Sequence, residues 1–222
     1  MSAFALSVGI TLLGCAFGWF AIRTDPHSKA VLMPFSALLS SPAERVHEEE
    51  SVTQDRLSGA KAGFSAQLMT HNIQVTIMTL AMGMTWGVGT LILLFYNGVI
   101  LGAVAADYIA AGFGTFLTGW LLPHGSVEIP AILLGGQGGF ILAGALIGWG
   151  GHTSRSERLR AVVPDLFAIV AGRCRHAGVG RHGGSVYLAI SQAGDSVRSD
   201  KIAFGACELA ALTAFLGWAG RE

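Results

Sequence analysis

His124 and Glu128 are the two residues of this sequence best spaced to act together. At a helix start, residues four apart share one face, which would set an imidazole beside a carboxylate. His71 and Asn72 open another apolar run and are expected at the same end of the molecule. Ionisable groups at the ends of membrane helices are costly unless they are used. Two uses suit this set, a metal or proton site and the docking of a partner. Capping is the third reading, with Glu128 at the positive end of a helix and His124-Gly125 as its entry turn. Zinc needs three or four ligands and this pair supplies two, so no metal is expected. Asp107 and Glu208 lie inside apolar runs and should face protein or a water-filled cavity. Each suits either a proton pathway or one interhelical hydrogen bond.

Other motifs fall away on inspection. The glycine-rich run 135–139 lacks the Lys-Ser/Thr of a phosphate loop. It is expected to pack helices closely, with Gln137 bonding across the contact. Ser126 lies near His124, but no Gly-x-Ser-x-Gly elbow is present. Cys15, Cys174 and Cys207 stand far apart without metal spacing. No enzyme signature remains, and no cofactor is implied.

The elements that position these residues are membrane helices. Hydrophobic residues make up 52% of the chain and charged residues 13%, with a mean hydropathy of +0.56. Soluble domains carry roughly 25% charged residues, so most of this chain needs lipid rather than water around it. Its formal net charge of zero gives no reason to expect nucleic acid. A spanning helix needs about 20 mostly apolar residues. That length predicts an all-α, polytopic bundle with spans near 3–22, 73–96, 99–122, 129–149 and 202–218, and an incomplete one at 161–185. The total is about five to six. Asn97-Gly98 is expected as a turn, Pro123 as part of a loop, and Pro130 in the first turn of the fourth span.

Arg155, Arg158 and Arg160 follow the fourth span and place that loop in the cytoplasm. The 23–70 loop is then external. The first span is expected to be retained rather than cleaved, because no basic region precedes it and its apolar run continues past Cys15.

His71-Asn72, then Asn97-Gly98-Val99-Ile100-Leu101-Gly102, then Pro123-His124-Gly125-Ser126-Val127-Glu128-Ile129-Pro130-Ala131, resemble the stage II sporulation protein M family. The family pattern is an Asn-Gly-x-x-Leu-Gly stretch followed by Pro-His-Gly-x-x-Glu-x-Pro-Ala, and the likeness covers roughly 64–160. It implies a multi-pass protein of the bacterial or archaeal plasma membrane, the inner membrane in a bacterium. It also implies a non-catalytic scaffold that recruits cell-envelope proteins such as peptidoglycan hydrolases. It marks Asn72, Asn97, Gly98, Pro123, His124, Gly125, Glu128 and Pro130 as signature positions. The alternative is a transporter or permease subunit, for which glycine-broken spans carrying acids would be suited.

Two departures stand out. The family has a cytoplasmic stretch before its first span, so a truncated or misassigned start is expected here. Residues 173–200 are polar where the family continues an apolar helix. Read one base forward, the same codons permit an apolar helix end with a glutamate, then a polar loop. A compensating pair of frameshifts would therefore explain an apolar pattern that stops and resumes.

Overall fold

A computed structural model describes residues 2–33, 39–47, 58–148 and 153–169; for Pro26, 58–69, Trp120, Pro123, His124 and Val127 it describes the backbone alone. The described residues form helices and no strand. In chain order they are α1 (Ala3–Thr24), a 3-10 turn (Pro26–Ser28), α2 (Lys29–Leu32) and α3 (42–47). Next come α4 (Ser58–Ala81), a second 3-10 turn (Met82–Thr85), α5 (Val88–Ala110), α6 (Gly114–Ile147) and α7 (155–169).

Three of them are long and apolar enough to cross a membrane: α1, α5 and the Glu128–Ile147 part of α6. The expected span at 202–218, and 161–185 beyond residue 169, fall outside the described residues. The 22 residues of α1 make a helix of about 33 Å, close to the roughly 30 Å of a hydrocarbon core.

The helix breaks fall elsewhere than the hydropathy pattern suggested, which corrects the 73–96 and 99–122 spans. The first break is at 82–87, where Trp86 and Gly87 take left-handed backbone angles (φ 53° and 83°). Thr85 closes this turn: its hydroxyl donates to the Met82 carbonyl and accepts from the Gly89 N–H at 2.8 Å. The second break is a Schellman stop at the end of α5. There Gly112 (φ 83°) lets Phe113 N–H reach the Tyr108 carbonyl and its own N–H reach Ile109.

Asn97-Gly98 is not a turn but lies in the middle of α5. The Asn97 side chain donates to the Leu93 carbonyl at 2.8 Å, one helical turn back. Nor does a loop surround Pro123, since α6 runs unbroken for 34 residues through Pro123 and Pro130. At about 51 Å, α6 is some 20 Å longer than a hydrocarbon core of roughly 30 Å.

Glycine explains how the helices pair. Gly14 and Gly18 on α1 face Gly98 and Gly102 on α5, and the two helices run parallel. A Cβ at Gly98 would overlap the Thr11 carbonyl, and one at Gly102 would overlap that of Cys15. Backbones this close are the usual result of small residues four apart. The pair α4 and α6 is also parallel, with Gly135 against Thr76 and Gly139 against Thr79 and Thr90. The 135–139 run is therefore a packing surface, as expected.

The centre holds Ser7, Thr79, Thr90 and Leu94, all fully buried. Its hydroxyls are satisfied by backbone carbonyls. Thr79 bonds Val75 at 2.7 Å, and Thr90 reaches across from α5 to the Thr79 carbonyl at 2.8 Å. Outward, Leu12, Leu13, Phe17, Phe20, Ile77, Met78, Leu91 and Ile92 are exposed. Hydroxyls and glycines thus share the centre with Leu94, and it is the band of large apolar side chains left on the outside that calls for lipid.

One end of the bundle carries the end of α1, α2, α3, the end of α5 and the start of α6; we call it the loop end. At the opposite end α6 stops at Gly148 (φ 66°), whose N–H bonds the Gly144 carbonyl at 2.9 Å. Arg158 of α7 donates through Nε to the Ala145 carbonyl at 2.9 Å and through Nη1 to the Thr153 carbonyl. A cation on the last carbonyls of a helix also opposes its negative dipole end. Arg158 is thus a structural cap as well as a topological signal. Helices α3 and α7 each open with a capping box, Ser41 with Glu44 and Ser154 with Glu157. The serine hydrogen bonds hold both glutamates below the usual carboxylate range.

Candidate functional site

The structure brings Asn72 and Glu128 together. The Asn72 amide on α4 donates to Glu128 Oε2 on α6, tying the two parallel helices near their loop-end halves. Both are half-buried. The cap reading of Glu128 is corrected: α6 starts at Gly114, so this carboxylate lies well inside the helix, far from any free N–H. Its partner is a side chain on another helix. His71 is exposed beside Asn72, Ser126 is buried and Gly125 is half-buried. Pro130 is also half-buried, inside α6 rather than in a first turn. At Pro123 and His124 only the helical backbone is described.

Asn97 and Gly98 lie elsewhere, on the α1–α5 seam, where Asn97 bonds its own helix and Gly98 admits the α1 backbone. The signature residues therefore serve two seams rather than one cluster. Glu208 lies outside the described residues, as do Cys174 and Cys207. Among the described residues, no three His, Cys, Asp or Glu gather as a metal site would require.

Asp107 is the larger surprise. It is in the last turn of α5, not mid-span, and its Oδ2 accepts from Lys29 Nζ at 2.8 Å and Arg45 Nη2 at 2.7 Å. The three side chains are 17%, 11% and 16% exposed for Lys29, Arg45 and Asp107. A carboxylate in the last turn faces the negative end of the helix dipole, and the two cations more than offset it. Lys29 also donates to the Ser40 carbonyl at 3.0 Å, and the Arg45 guanidinium stands 4.6 Å from the Tyr108 ring centre. Beneath it, Val46 packs with Tyr108 and Leu117, bordered by Phe113 and Phe116. Ile22 and Met33 pack on Ala103 and Ala106 alongside.

The 23–47 segment is in this way fastened onto the bundle by charge and by apolar contact. No spacing in the sequence announces these partners, because 62 residues separate Arg45 from Asp107. The available signal is chemical: an acid in an apolar run needs a cation, and the preceding loop supplies two.

At the opposite end, an open apolar groove of about 480 Å³ runs between α1, α5 and α6, lined by Leu6, Trp86, Leu91, Phe140, Ala143 and Ile147 among others. Trp86 is 66% exposed there, and an indole suits the boundary of a bilayer.

No curated protein and no solved structure matches this chain. A family model described as stage II sporulation protein M matches residues 7–174, well over half of the sequence. The match covers both helix pairs, the charged triad and the Asn72–Glu128 tie. The chain belongs to the stage II sporulation protein M family and is a membrane protein.

Proposed function

We propose that this is a multi-pass plasma-membrane protein, of the inner membrane in a bacterium, that works as a non-catalytic scaffold. Its loop end lies outside the membrane and docks cell-envelope proteins, peptidoglycan hydrolases among them. The observation that carries this reading is the shape of the loop end. Residues 114–127 carry α6 about 20 Å beyond its span-length Glu128–Ile147 stretch. They are braced by α3 through Val46 and Leu117. An ordered, fastened projection is what a docking platform needs, since the cost of ordering it is met before a partner arrives.

The orientation rests on Arg155, Arg158 and Arg160 at the opposite end, which favour the cytoplasm. A transport subunit is less well supported. Asp107, one of the two acids expected within an apolar run, is held by two cations at a helix end. The middle of the bundle is filled by Leu94, Thr79, Thr90 and the glycines that face them.

Photocrosslinking from Thr115 on the projection, compared with Val163 on α7, tests the proposal in whole cells. Envelope hydrolases should be captured from position 115 and not from 163. Capture of an ATPase at 163 with nothing at 115 would instead indicate a permease. Cysteine labelling gives the orientation separately, in a background without native cysteines. Ala43→Cys should react with an impermeant reagent and Ser156→Cys should not; the reverse pattern turns the molecule over.

A further inference from the structure

We propose that Arg45 and Lys29 form a binding site for a phosphate monoanion at the loop end of the bundle. Three independent features lead there. The first is charge: two cations share one carboxylate oxygen of Asp107, so neither has a carboxylate to itself there. The second is hydrogen bonding. Arg45 Nε and Nη1 are buried and have no acceptor among the described residues. Buried donors without a partner cost about 1–3 kcal/mol, and more on a charged group, so a fold that encloses them gains by supplying an anion. A phosphate offers several strong acceptor oxygens, which suits the guanidinium donors that Asp107 leaves unused.

The third feature is depth. Asp107 lies one turn from the end of a span-length helix, and Ile22, one turn from the end of α1, packs beside it. That is the level at which phospholipid headgroups meet protein cations. The site lies between the short helix α3 and the end of α5, which Arg45 joins through Asp107 and Tyr108. Among the described residues, Glu44 is exposed, bonds Ser41 and interacts electrostatically with Lys29, while Asp25 accepts from the His27 N–H; neither is paired with Arg45. The inference uses only the membrane placement of α1 and α5 and is independent of the scaffold proposal.

The test is anion binding to the full chain purified in a neutral detergent, read by native mass spectrometry and by melting temperature. The probes are phosphatidylglycerol, a diacylglycerol with the same chains, and inorganic phosphate. Wild type should take up phosphatidylglycerol saturably, with a rise in melting temperature, and should ignore diacylglycerol. Arg45→Gln should weaken uptake by about tenfold or more, the usual effect of losing a charge-assisted hydrogen bond. Lys29→Gln, which leaves a neutral Arg45–Asp107 pair, should weaken it by a smaller factor and serves if Arg45→Gln does not fold. Asp107→Asn frees both cations and should bind at least as tightly as wild type despite its lower stability.

That opposite sign separates a ligand site from a merely structural ion cluster, in which every variant loses stability and none changes its lipid response. The structural pattern, or equal uptake of diacylglycerol, overturns the proposal. If millimolar phosphate displaces the lipid, the site recognises phosphate from either source. If phosphate fails to displace it while the variant pattern holds, the headgroup is the ligand.

Discussion

Gly102→Ala probes the central seam of the bundle with a single methyl group. An alanine Cβ at this position would lie 2.8 Å from the Cys15 Cα and 2.7 Å from its carbonyl carbon, and it would overlap the carbonyl oxygen. Carbon atoms prefer about 3.5–4.0 Å, so α1 and α5 must part by about 1 Å. The obstacle is backbone, which no rotamer change can move aside. Overpacking costs about 1–3 kcal/mol, and a rigid backbone obstacle belongs near the top of that range. Alanine itself favours a helix over glycine by at most about 1 kcal/mol. The net loss should be about 2 kcal/mol.

Gly9→Ala on α1 is the matched control, because nothing lies within 4 Å of its Cβ position. It should be neutral or slightly stabilising, so the two variants should differ by about 2–3 kcal/mol. Reversible unfolding in mixed micelles, titrated with a denaturing detergent and followed by tryptophan fluorescence, measures both. A Gly102→Ala protein as stable as Gly9→Ala would refute the parallel α1–α5 contact and the reading of Asn97-Gly98 as mid-helix.

Four further outcomes are expected. Glu128→Ala should cost about 1–3 kcal/mol, because a half-buried donor then loses its acceptor. Glu128→Gln should recover part of it, and a double-mutant cycle with Asn72→Ala should show coupling; additive losses would dissolve the pair. Asp107→Ala should destabilise by about 2–4 kcal/mol by leaving two cations unpaired, and more than Lys29→Ala; limited proteolysis should then cut the 23–47 segment faster, and an unchanged pattern would contradict its fastening. Gly148→Ala should cost more than 1 kcal/mol, because alanine is strained at φ 66° and its methyl would enter the space of the Arg158 guanidinium; Arg158→Ala should cost about 1 kcal/mol, and both are read by the same unfolding titration. Finally, resequencing the gene across 173–200 should reveal paired single-base shifts, and an uninterrupted frame would make the tract an authentic polar segment.

The sequence made the solvent legible more easily than the turns. Apolar runs of about 20 residues report lipid whatever their exact limits, and the 3–22 expectation agrees with α1 to within two residues. The 73–96 run failed because hydropathy is blind to backbone direction. Methionine, tryptophan and glycine at 82–87 read as membrane core, yet Trp86 and Gly87 reverse the chain. Asn97-Gly98 misled in the opposite sense. That dipeptide favours turns in water, but in α5 the amide finds a carbonyl on its own helix and the glycine admits a neighbour. Pro123 and Pro130 likewise read as breaks, although proline is tolerated within membrane-protein helices where other groups satisfy the freed carbonyls. The Asn72–Glu128 contact was legible because both residues were expected at one end. The Lys29–Asp107–Arg45 triad was not, because it depends on a loop folding back over the bundle.

The two seams divide the signature residues by what each chemical type can do. Gly98 and Gly102 contribute nothing but the absence of a side chain, and that absence brings α1 against α5 closely enough to position Asp107 beside the returning loop. Asn72 and Glu128 join α4 to the part of α6 from which the projection extends. A glycine seam gives close contact without direction, since small residues allow sliding; a carboxylate paired to an amide fixes the register. The loop end thus depends on both. Losing the Glu128 tie should alter the α4–α6 register while leaving the Asp107 triad in place, and losing Asp107 should release the 23–47 segment while leaving the helices paired. Distance measurements between spin labels at Met78 and Ile147, and separately at Ala43 and Thr115, distinguish the two. If either substitution moved both distances together, the loop end would be one cooperative unit and the division into two seams would fail.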